Sequence, residues 1–518
     1  GAVLSGCGLL KKGDTASSGK SSGAASPRAA ATATGPHGGV MLEAGWKGVP
    51  LSVEVGPAVV KDKYAIVRLG IVVSSKAKSV PKDLTVSQTF ETKSNWSSMR
   101  GLKMLSMEKG LVFPELSTRR DGLTDSLTKD KPVELFPVFM APGDGVKTVE
   151  LFMPQMTVAI GIPVVEASAV DYSVDDVLAK AELDEADPGP FAMNSIVLSA
   201  DGSSDTKKNE KSTTVTVDGD VTFETDSDQL SAQADAVLAN VVEQIKKYPS
   251  GGDLTITGHT DDVADDAHNQ DLSERRAKAV SSRLKKLTDL STWNESVSGK
   301  GESSPRVPND SDEHRQANRR VEITLTPSKP AEASASPSAS AVPSSATVPD
   351  PAGPVGKGPD GVTVNSIDGQ SSVTISLEKV ARRGKYLFGV AQVSGVPGAD
   401  GPALTDWLSD SSAGLFEDSR SEDSAGAFLP KGANGLDLIA GDRRYSPCDY
   451  VPLGAERHST LAELRVEGSL SGNTGICVIW PDMGQDSVIL DRAPAAGVAS
   501  GSVVDLPWRL TDIPVVDE

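Results

Sequence analysis

The charged residues between positions 258 and 276 are, by type and spacing, the part of this chain best suited to chemistry. Asp261 lies in a polar turn after a short apolar run, and Arg276 lies fifteen positions later in a basic segment. A carboxylate accepts hydrogen bonds from an ammonium group, and a planar guanidinium donates two parallel hydrogen bonds to a carboxylate. One of each on neighbouring elements could hold the two ends of a zwitterion. The alternative is a mutual salt bridge that merely ties the turn to the next helix.

The elements that must position this pair are predicted by hydrophobic spacing. Apolar side chains recur at helical spacing over 231–248, with a proline as terminator, and again over 272–287. Short β-type runs lie around these helices, at 221–223, 254–256, 297–301 and 320–325. The pattern predicts an α+β domain in which strands alternate with two helices. A second helix that begins near Leu272 would place Arg276 in its first turns, where the helix dipole favours an anion.

The segment 213–326 resembles the OmpA-like peptidoglycan-binding domain. The resemblance rests on residues in the family's order and spacing, namely Phe223, Asp226, Gly258-His-Thr-Asp261, Asn269, Leu272, Ser273, Arg275, Arg276, Ala277, Gly299-Lys-Gly-Glu302, Asn309, Arg315, Asn318, Arg319, Arg320 and Val321. It implies a mixed sheet with two main helices and binding of the diaminopimelate residue of the peptidoglycan stem, whose side chain ends in a zwitterionic head.

The resemblance also implies roles for individual residues. Asp261 is expected to accept from the ligand ammonium, and Arg276 to donate to the ligand carboxylate. Thr260 and Asn269 are expected to supply secondary hydrogen bonds. Arg320, together with Arg319, is expected to support the site or contact it from the last strand.

The loop after Asp261 departs from the family pattern. Asp262, Asp265 and Asp266 make it unusually acidic, and Ala264 stands where the family often has a glycine. We expect these changes to alter affinity or stem preference without removing the Asp261 and Arg276 pair.

The rest of the chain divides by composition into tethers and β-rich segments. Residues 8–40 are rich in Gly, Ser and Ala and predict a disordered tether, and 327–358 are a Pro/Ser/Ala-rich linker. Segments 41–200 and 359–518 contain short β-type runs separated by turn residues, which predict all-β sandwiches. The expected fold is therefore multidomain, with a central α+β OmpA-like domain at 213–326 between two sandwich-like domains.

The two β-rich segments share weak sequence similarity in the same order. The matched pairs are Lys63-Tyr64 with Lys385-Tyr386, Phe152-Met-Pro-Gln-Met156 with Ile479-Trp-Pro-Asp-Met483, and Ile162-Pro-Val-Val165 with Ile513-Pro-Val-Val516. The order suggests that the two sandwiches are related, although convergent strand composition would give the same matches.

The cysteines indicate the compartment. Cys7 ends the run Leu4-Ser5-Gly6-Cys7 and precedes the tether, which resembles a bacterial lipobox with residues 1–7 as the remnant of a lipoprotein signal. Lipidation of Cys7 would anchor the protein to a membrane outside the cytoplasm. In that compartment, Cys448 and Cys477 are expected to form a disulfide, with two buried thiols as the alternative.

Several functions are excluded or disfavoured by composition and motifs. The formal net charge of −20 argues against nucleic acid as a partner, and no run of about 18 apolar residues predicts a membrane-spanning helix. The histidines His259, His268 and His314 lack zinc-site spacing, and the acidic loop lacks the glycine and glutamate of a calcium-binding EF-hand. Nucleophile and phosphate-loop motifs are also absent. We therefore predict no metal, no cofactor and no enzyme activity.

These observations predict a lipid-anchored cell-envelope protein that binds peptidoglycan non-covalently and tethers a membrane to the cell wall. The β domains would present surfaces to an envelope protein partner. The alternative is an envelope enzyme whose catalytic residues lie in the β domains, with the OmpA-like domain as its wall-targeting module.

Overall fold

The computed structural model describes residues 35–46, 48–86, 90, 99–118, 122–186, 188–224, 226–329, 347–366, 369–396, 407–408, 431–452, 459–464, 474–494 and 506–517. Cys7 and most of the predicted tether and linker lie outside these residues. Within them, none of the helices combines the length and apolarity that a bilayer-spanning segment needs.

The N-terminal β region is a two-layered sandwich. Its first sheet pairs β1, β2, β3, β6 and β7 with the end of β9, and its second pairs β4, β5 and β8 with the start of β9. Inward-facing Val, Leu and Ile side chains from both sheets fill the core, as the alternation in the strands predicts. The strands are β1 Val40–Trp46, β2 Val49–Lys61, β3 Tyr64–Val73, β4 Lys103–Ser106, β5 Leu111–Pro114, β6 Val133–Leu135, β7 Val138–Met140, β8 Thr148–Met153 and β9 Thr157–Glu166.

One short helix, α1 (Val174–Lys180), follows this sandwich. Ser173 caps it by accepting a hydrogen bond from the Asp176 N–H at 3.2 Å. Val174 packs against Val59 and Ile66, so the helix covers a small apolar cluster on the outer face of the sheet. Its seven residues are too few for a clear helical period, so the hydrophobic pattern did not predict it.

The central domain contains the predicted pattern of two helices between strands. Its strands are β11 Ser204–Lys208, β12 Thr213–Asp218, β13 Gly252–Gly258, β14 Trp293–Gly299 and β15 Arg320–Pro327, and its helices are α2 Gly219–Thr222, α3 Ala234–Lys246, α4 Asp266–Leu287 and α5 Asp312–Asn318. The strand order is β14-β13-β15-β12-β11, with β13 and β14 parallel and the other pairs antiparallel. The sheet is therefore mixed, and α3 and α4 bury their apolar sides against one common core.

One strand prediction in this domain is wrong. Residues 221–223 belong mainly to the short helix α2 rather than to a strand, and the strand lies just before it, at β12. The reason is local, because the Asp218 side chain accepts hydrogen bonds from the N–H groups of Asp220 and Val221 at 2.7 and 3.1 Å and so starts a helical turn.

The C-terminal β region is a second sandwich. One sheet contains β17 to β20, β26 and the end of β28, and the other contains β22, β23, β24, β27 and the start of β28. The strands are β16 Val355–Lys357, β17 Val362–Asn365, β18 Ser372–Ser376, β19 Val380–Arg383, β20 Tyr386–Val396, β21 Lys431–Gly432, β22 Leu436–Ala440, β23 Arg443–Tyr450, β24 Ser459–Thr460, β25 Glu463–Leu464, β26 Thr474–Pro481, β27 Ser487–Arg492 and β28 Trp508–Asp517.

A single strand, β10 (Phe191–Ser199), joins all three regions. It pairs with β5 of the first sandwich, with β23 of the second, and with β11 of the central domain. The central sheet and one sheet of the C-terminal sandwich are therefore hydrogen-bonded into one continuous sheet. The sequence predicted three domains in simple succession. Composition alone cannot show that one strand pairs with strands of all three regions.

The two sandwiches also share a core. Phe152 and Phe191 pack in the same apolar cluster as Trp480 and Trp508. The Cys477 N–H donates to the Pro154 carbonyl at 2.8 Å. The N-terminal and C-terminal β regions therefore contact one another directly. The sequence placed them before and after the central domain and did not predict this contact.

Backbone hydrogen bonds support a relationship between the two sandwiches. Ala141 donates its N–H to the Lys63 carbonyl at 2.8 Å, and Asp482 donates to the Lys385 carbonyl at 2.8 Å. In each sandwich, the lysine directly precedes a tyrosine that begins a long strand, β3 or β20. This favours an interpretation in which one β unit occurs twice.

The parallel strand pairs agree with this interpretation, whereas one sequence match does not. Val165 pairs with Val59 across β9 and β2, as Val516 pairs with Ala381 across β28 and β19. The match between 152–156 and 479–483 fails because the two segments end strands with different partners. Residues 152–156 lie at the end of β8, which pairs with β4 and β9, whereas 479–483 lie at the end of β26, which pairs with β20 as β7 pairs with β3.

The predicted disulfide is absent from the described residues. Cys448 and Cys477 are both buried and carry thiols rather than a bond to each other. Cys448 lies in β23, and Cys477 lies in β26 opposite Val390 of β20. An even number of cysteines does not determine whether two β-carbons face each other at bonding distance, which a disulfide requires.

Candidate ligand-binding site

Two glycines allow the elements of the site to approach closely. Gly258 ends β13, and a β-carbon there would overlap the backbone carbonyl oxygen of Ser273 in α4. A β-carbon at Gly299, the end of β14, would overlap the Ser273 hydroxyl. That hydroxyl donates to the Gln270 carbonyl at 2.8 Å and accepts from the Gly301 N–H at 2.9 Å. Helix α4 is therefore held directly against the strand ends from which the binding loop starts.

Helix α4 begins earlier than the hydrophobic period predicts. It starts at Asp266, and Asp265 caps it by accepting from the His268 N–H at 3.0 Å. Arg276 is therefore ten residues into the helix rather than in its first turns. The field of a helix terminus fades within about one turn, so the predicted dipole contribution at Arg276 is wrong.

A cavity of about 680 Å³ opens at the end of β13, bounded by α2, the turn after β13 and α4. Four of the five residues predicted to bind the ligand line it, namely Thr260, Asp261, Asn269 and Arg276. Arg320 does not line it, whereas its neighbour Arg319 does. The remaining lining residues are Gly219, Asp220, Phe223, Glu224, Asp226, Val263, Ala264, His268 and Leu272.

Asp261 pairs with Arg319 rather than with Arg276. One Asp261 oxygen accepts from the Arg319 guanidinium at 2.6 Å, and the other accepts from the Val263 N–H at 3.3 Å. Arg319 also makes a two-pronged contact with Asp220, at 2.8 and 2.7 Å. The hydrogen bonds that Arg319 donates to Asp220 and Asp261 raise the pKa of Arg319. The mutual salt bridge considered for Asp261 and Arg276 is therefore not formed between these two described residues.

The Arg276 side chain is held in place by contacts of its Nε atom and of its guanidinium group. The side chain is 4% exposed, and its Nε donates to the Ser227 carbonyl at 2.9 Å. Its guanidinium carbon lies 5.1 Å from the centre of the Phe223 ring. Burial is the main cause that lowers the pKa of Arg276. Because the residue makes no other hydrogen bond to the described protein, both terminal NH2 groups remain available to a ligand.

Asn269 has a structural task that limits its role in binding. Its side-chain amide donates to the carbonyls of Asp261 and Ala264, each at 3.1 Å, and to the Glu302 carboxylate at 2.5 Å. These contacts fix the loop that carries Asp261. Thr260 lines the cavity, and its buried hydroxyl has no hydrogen-bond partner among the described residues. Thr260 is thus the better placed of the two to bond a ligand.

The acidic loop is largely explained by contacts within the protein. Asp262 accepts from the Arg315 guanidinium at 3.0 Å, and Asp265 caps α4. Val263 lies at the tip of the loop with 74% of its surface exposed. Asp262 and Asp265 therefore shape the loop, and an apolar side chain stands at the mouth of the cavity.

The acidic side of the cavity is provided by α2 and the following turn; the sequence analysis named Asp226 only as a motif residue and missed Asp220. Asp220 fixes Arg319, and Asp226 adopts a positive φ of 52° in the turn. A local signal for Asp220 exists, since Asp218 two positions earlier is a helix cap. Its partner Arg319 lies 99 positions away, and no spacing rule connects them.

A buried polar cluster lies behind the cavity. Arg320 donates to Glu322 at 2.8 Å and to the Ser304 carbonyl at 3.2 Å. His259, 4% exposed, has its Nε2 4.0 Å from Glu322 and no hydrogen-bond partner on either ring nitrogen. The side chain of Arg320 therefore makes its contacts outside the cavity lining, with β15 and with the loop that contains Ser304.

Acidification is expected to destabilise the protein through His259. Burial, reinforced by the charge of Arg320, lowers the pKa of His259 from 6.5 to about 4. Between these two values the unfolded chain binds more protons than the folded chain, so stability falls as the pH falls from 6.5 towards 4. The loss has an upper limit of about 1.4 kcal/mol per pH unit.

The measurement is urea unfolding of the full chain at pH 7 and pH 4.5. His259→Gln should lose less stability than the wild type over this interval, and the comparison cancels titrations elsewhere in the chain. Equal losses in both proteins would assign the acid sensitivity to other groups.

No group of three or more His, Cys, Asp or Glu side chains in the described part of the chain is arranged to hold a metal ion.

Comparison with known proteins agrees with the site. The family model described as "OmpA family" matches residues 222–319. Outer membrane porin F of Pseudomonas aeruginosa is 40% identical over 111 residues, which are 21% of this chain and 31% of that protein. Outer membrane protein A of Escherichia coli O157:H7 is 33% identical over 120 residues, which are 21% of this chain and 34% of that protein.

The matched segment therefore spans about a third of these curated relatives. Among solved structures, the cell wall anchor of the T6SS from Pseudomonas aeruginosa has 28% identity and a TM-score of 0.22, covering 24% of this chain and 88% of that chain. The family match, the two relatives and the motif residues around the cavity coincide. Residues 222–319 of this chain are an OmpA-family domain.

Proposed function

We propose that the OmpA-family domain binds peptidoglycan through the diaminopimelate residue of its peptide stem. The observation that carries the proposal is a pair of charged groups in one cavity that both keep unused hydrogen-bonding capacity. Asp261 presents a carboxylate, and Arg276 presents two terminal NH2 groups. A ligand with an ammonium and a carboxylate on one carbon matches this pair.

The Arg276 side suits a carboxylate. The planar guanidinium can place two parallel N–H groups against both oxygens of the ligand. Its Nε hydrogen bond to Ser227 and its contact with Phe223 hold the side chain before the ligand arrives. Little side-chain entropy is then lost on binding, which favours affinity.

The Asp261 side suits an ammonium. Each carboxylate oxygen can accept two hydrogen bonds, and Asp261 receives one on each from Arg319 and Val263. Capacity for a ligand N–H therefore remains on both oxygens. The unpartnered Thr260 hydroxyl is an additional acceptor or donor at the same wall of the cavity.

The cavity has room for more than the amino-acid head. Its volume of about 680 Å³ lies within the range of small-molecule sites and would admit the neighbouring stem residues. The exposed Val263 at its mouth offers an apolar surface to the methyl group of an alanine in the stem.

We further propose that Cys7 carries a lipid, so that the protein tethers a membrane to the cell wall as a cell-envelope component. The two sandwiches would present surfaces to an envelope protein partner. The mass of the N-terminal peptide from membrane-extracted protein tests the lipid, because an unmodified Cys7 at the mature terminus would contradict it.

Co-sedimentation of the full chain with purified sacculi tests the binding proposal. We expect pelleting with sacculi that contain diaminopimelate and release by free diaminopimelate. Sacculi with lysine at the same stem position keep the ammonium but lack the carboxylate, so they should pellet much less protein. Equal binding to both kinds of sacculi would contradict the assignment of Arg276.

A further inference from the structure

A second polar cleft lies where the central domain meets the C-terminal sandwich. We call it the junction cleft; its walls are β10, β11, the C-terminal end of α3, and the ends of β23 and β26. Its volume is about 290 Å³. It is separate from the OmpA-family cavity, with which it shares no lining residue.

The junction cleft is basic in a strongly acidic chain. The chain has 71 Asp and Glu against 51 Lys and Arg, but the cleft is lined by four cationic residues and two carboxylates. The cations are Lys208, Lys247, Lys385 and Arg443, and the carboxylates are Glu210 and Asp482.

Both lining carboxylates already have cationic partners. Glu210 pairs with Lys385, and Asp482 accepts from Arg382, which lies outside the lining, at 2.9 Å. Arg443 lies 3.5 Å from Glu243 on the exposed side of α3. The positive charge of the cleft is therefore in excess of the negative charge that faces it.

Lys208 and Lys247 contribute two of these positive charges. The Lys208 ammonium forms no ion pair with a described carboxylate and lies 5.6 Å from the centre of the Tyr248 ring. The Lys247 ammonium donates to the Gln244 side-chain oxygen at 3.2 Å. Desolvation lowers the pKa of Lys247, and the positive charges of Lys208 and Arg443 lower it further, against the opposite effect of Glu243. The three cations repel one another, which a bound anion would relieve.

We propose that the junction cleft binds a phosphate group, either as the free ion or as a phosphate ester. Three cations contributed by β11, α3 and β23 approach one small space from different directions. A tetrahedral phosphate with two negative charges can use donors from all three, whereas a planar carboxylate has one charge and two oxygens. Arg443 can supply a fork, and the two lysines act as point charges.

Binding there would join two parts of the chain. Lys208 and Lys247 belong to the central domain, whereas Arg443 belongs to the C-terminal sandwich. A ligand held by all three would strengthen the junction, so it should raise the unfolding temperature of the full chain.

Calorimetric titration of the full chain tests the proposal. The titrants are inorganic phosphate and glycerol 3-phosphate, in chloride buffer of constant ionic strength so that general screening does not change. We expect one site per chain. Lys208→Gln with Lys247→Gln should weaken binding at least about tenfold, because two charge-assisted hydrogen bonds to the phosphate would be lost.

The matched control is Lys207→Gln with Lys246→Gln. It removes the same charge from adjacent positions of the same strand and helix, but neither side chain lines the cleft. We expect its affinity to stay within about twofold of the wild type, because it loses only long-range attraction. Arg443→Gln is a second, independent test variant, which should also bind the phosphate titrants more weakly than the wild type.

The outcomes separate the possibilities. Tighter binding of glycerol 3-phosphate supports a phosphate ester as the ligand, and equal or tighter binding of inorganic phosphate supports the free ion. No binding of either titrant to the wild type, or the same loss in the control as in the test variant, would overturn the proposal. Sacculus binding should be unchanged in the test variant, so failure here is distinguishable from failure of peptidoglycan binding.

Discussion

Asp261→Ala and Arg276→Ala should each reduce binding of the full chain to diaminopimelate-containing sacculi by about 30-fold to more than 1,000-fold. Truncating one partner of a hydrogen-bonded, desolvated charge pair costs roughly 2–5 kcal/mol, and each 1.4 kcal/mol is a factor of ten in affinity. Most of the loss comes from the ligand charge that would be left buried opposite an apolar methyl group.

Neither variant should unfold the domain. Without Asp261, Arg319 keeps its two-pronged contact with Asp220. Without Arg276, the Ser227 carbonyl and the face of Phe223 lose one contact each. Arg276→Lys keeps the charge but not the planar fork, so it should bind more weakly than the wild type and more tightly than the alanine variant.

The matched controls are the adjacent residues Asp262→Ala and Arg275→Ala. Asp262 contacts Arg315, and Arg275 contacts Asp228 and Asp271. Each control substitution therefore removes the same charge as its test variant from a residue that does not line the cavity. Their binding should remain close to that of the wild type. Losses in the controls as large as those in the test variants would show that general charge, rather than the cavity, drives sedimentation.

Gly258→Ala should destabilise the OmpA-family domain by roughly 2–4 kcal/mol and abolish sacculus binding in consequence. The added methyl group would overlap the Ser273 carbonyl, which is helix backbone and cannot rotate away as a side chain could. Helix α4 must therefore shift from β13, and the shift moves Arg276 relative to Asp261.

Hydrogen exchange of the full chain checks this prediction locally. Peptides from β13 and α4 should exchange faster in Gly258→Ala, whereas those from the N-terminal sandwich should not change. Gly70→Ala is the control, because a β-carbon there would meet only Glu54 and Pro132 at 3.7 and 3.9 Å, which are ordinary contacts. Unchanged exchange in α4 of Gly258→Ala would show that the helix accommodates the methyl group without moving.

The position of Arg276 in its helix differs from the predicted one, and the difference illustrates a limit of sequence patterns. Its side chain does face the predicted cavity, but the helix that carries it starts at Asp266 rather than near Leu272. The hydrophobic period detects only the turns that pack against the core. The first turn of α4 is exposed and polar, so its start is visible only through the capping contact of Asp265.

The sequence by itself determined the two main helices of the central domain and most of the residues that line its cavity. Local periodicity is enough to predict α3 and α4, and the order of motif residues is enough to select Asp261, Thr260, Asn269 and Arg276 as neighbours. These signals are readable because each depends on residues close together in the chain or on a pattern shared by a whole family.

Only the tertiary structure decided which groups are partners. It pairs Asp261 with Arg319, pairs Arg320 with Glu322 outside the cavity lining and gathers the cations of the junction cleft from separate parts of the chain. It also makes β10 a strand of all three regions and leaves Cys448 and Cys477 without a disulfide. The physical reason is that alternate residues of a strand face opposite sides of a sheet, and contacts between distant segments follow from packing rather than from spacing.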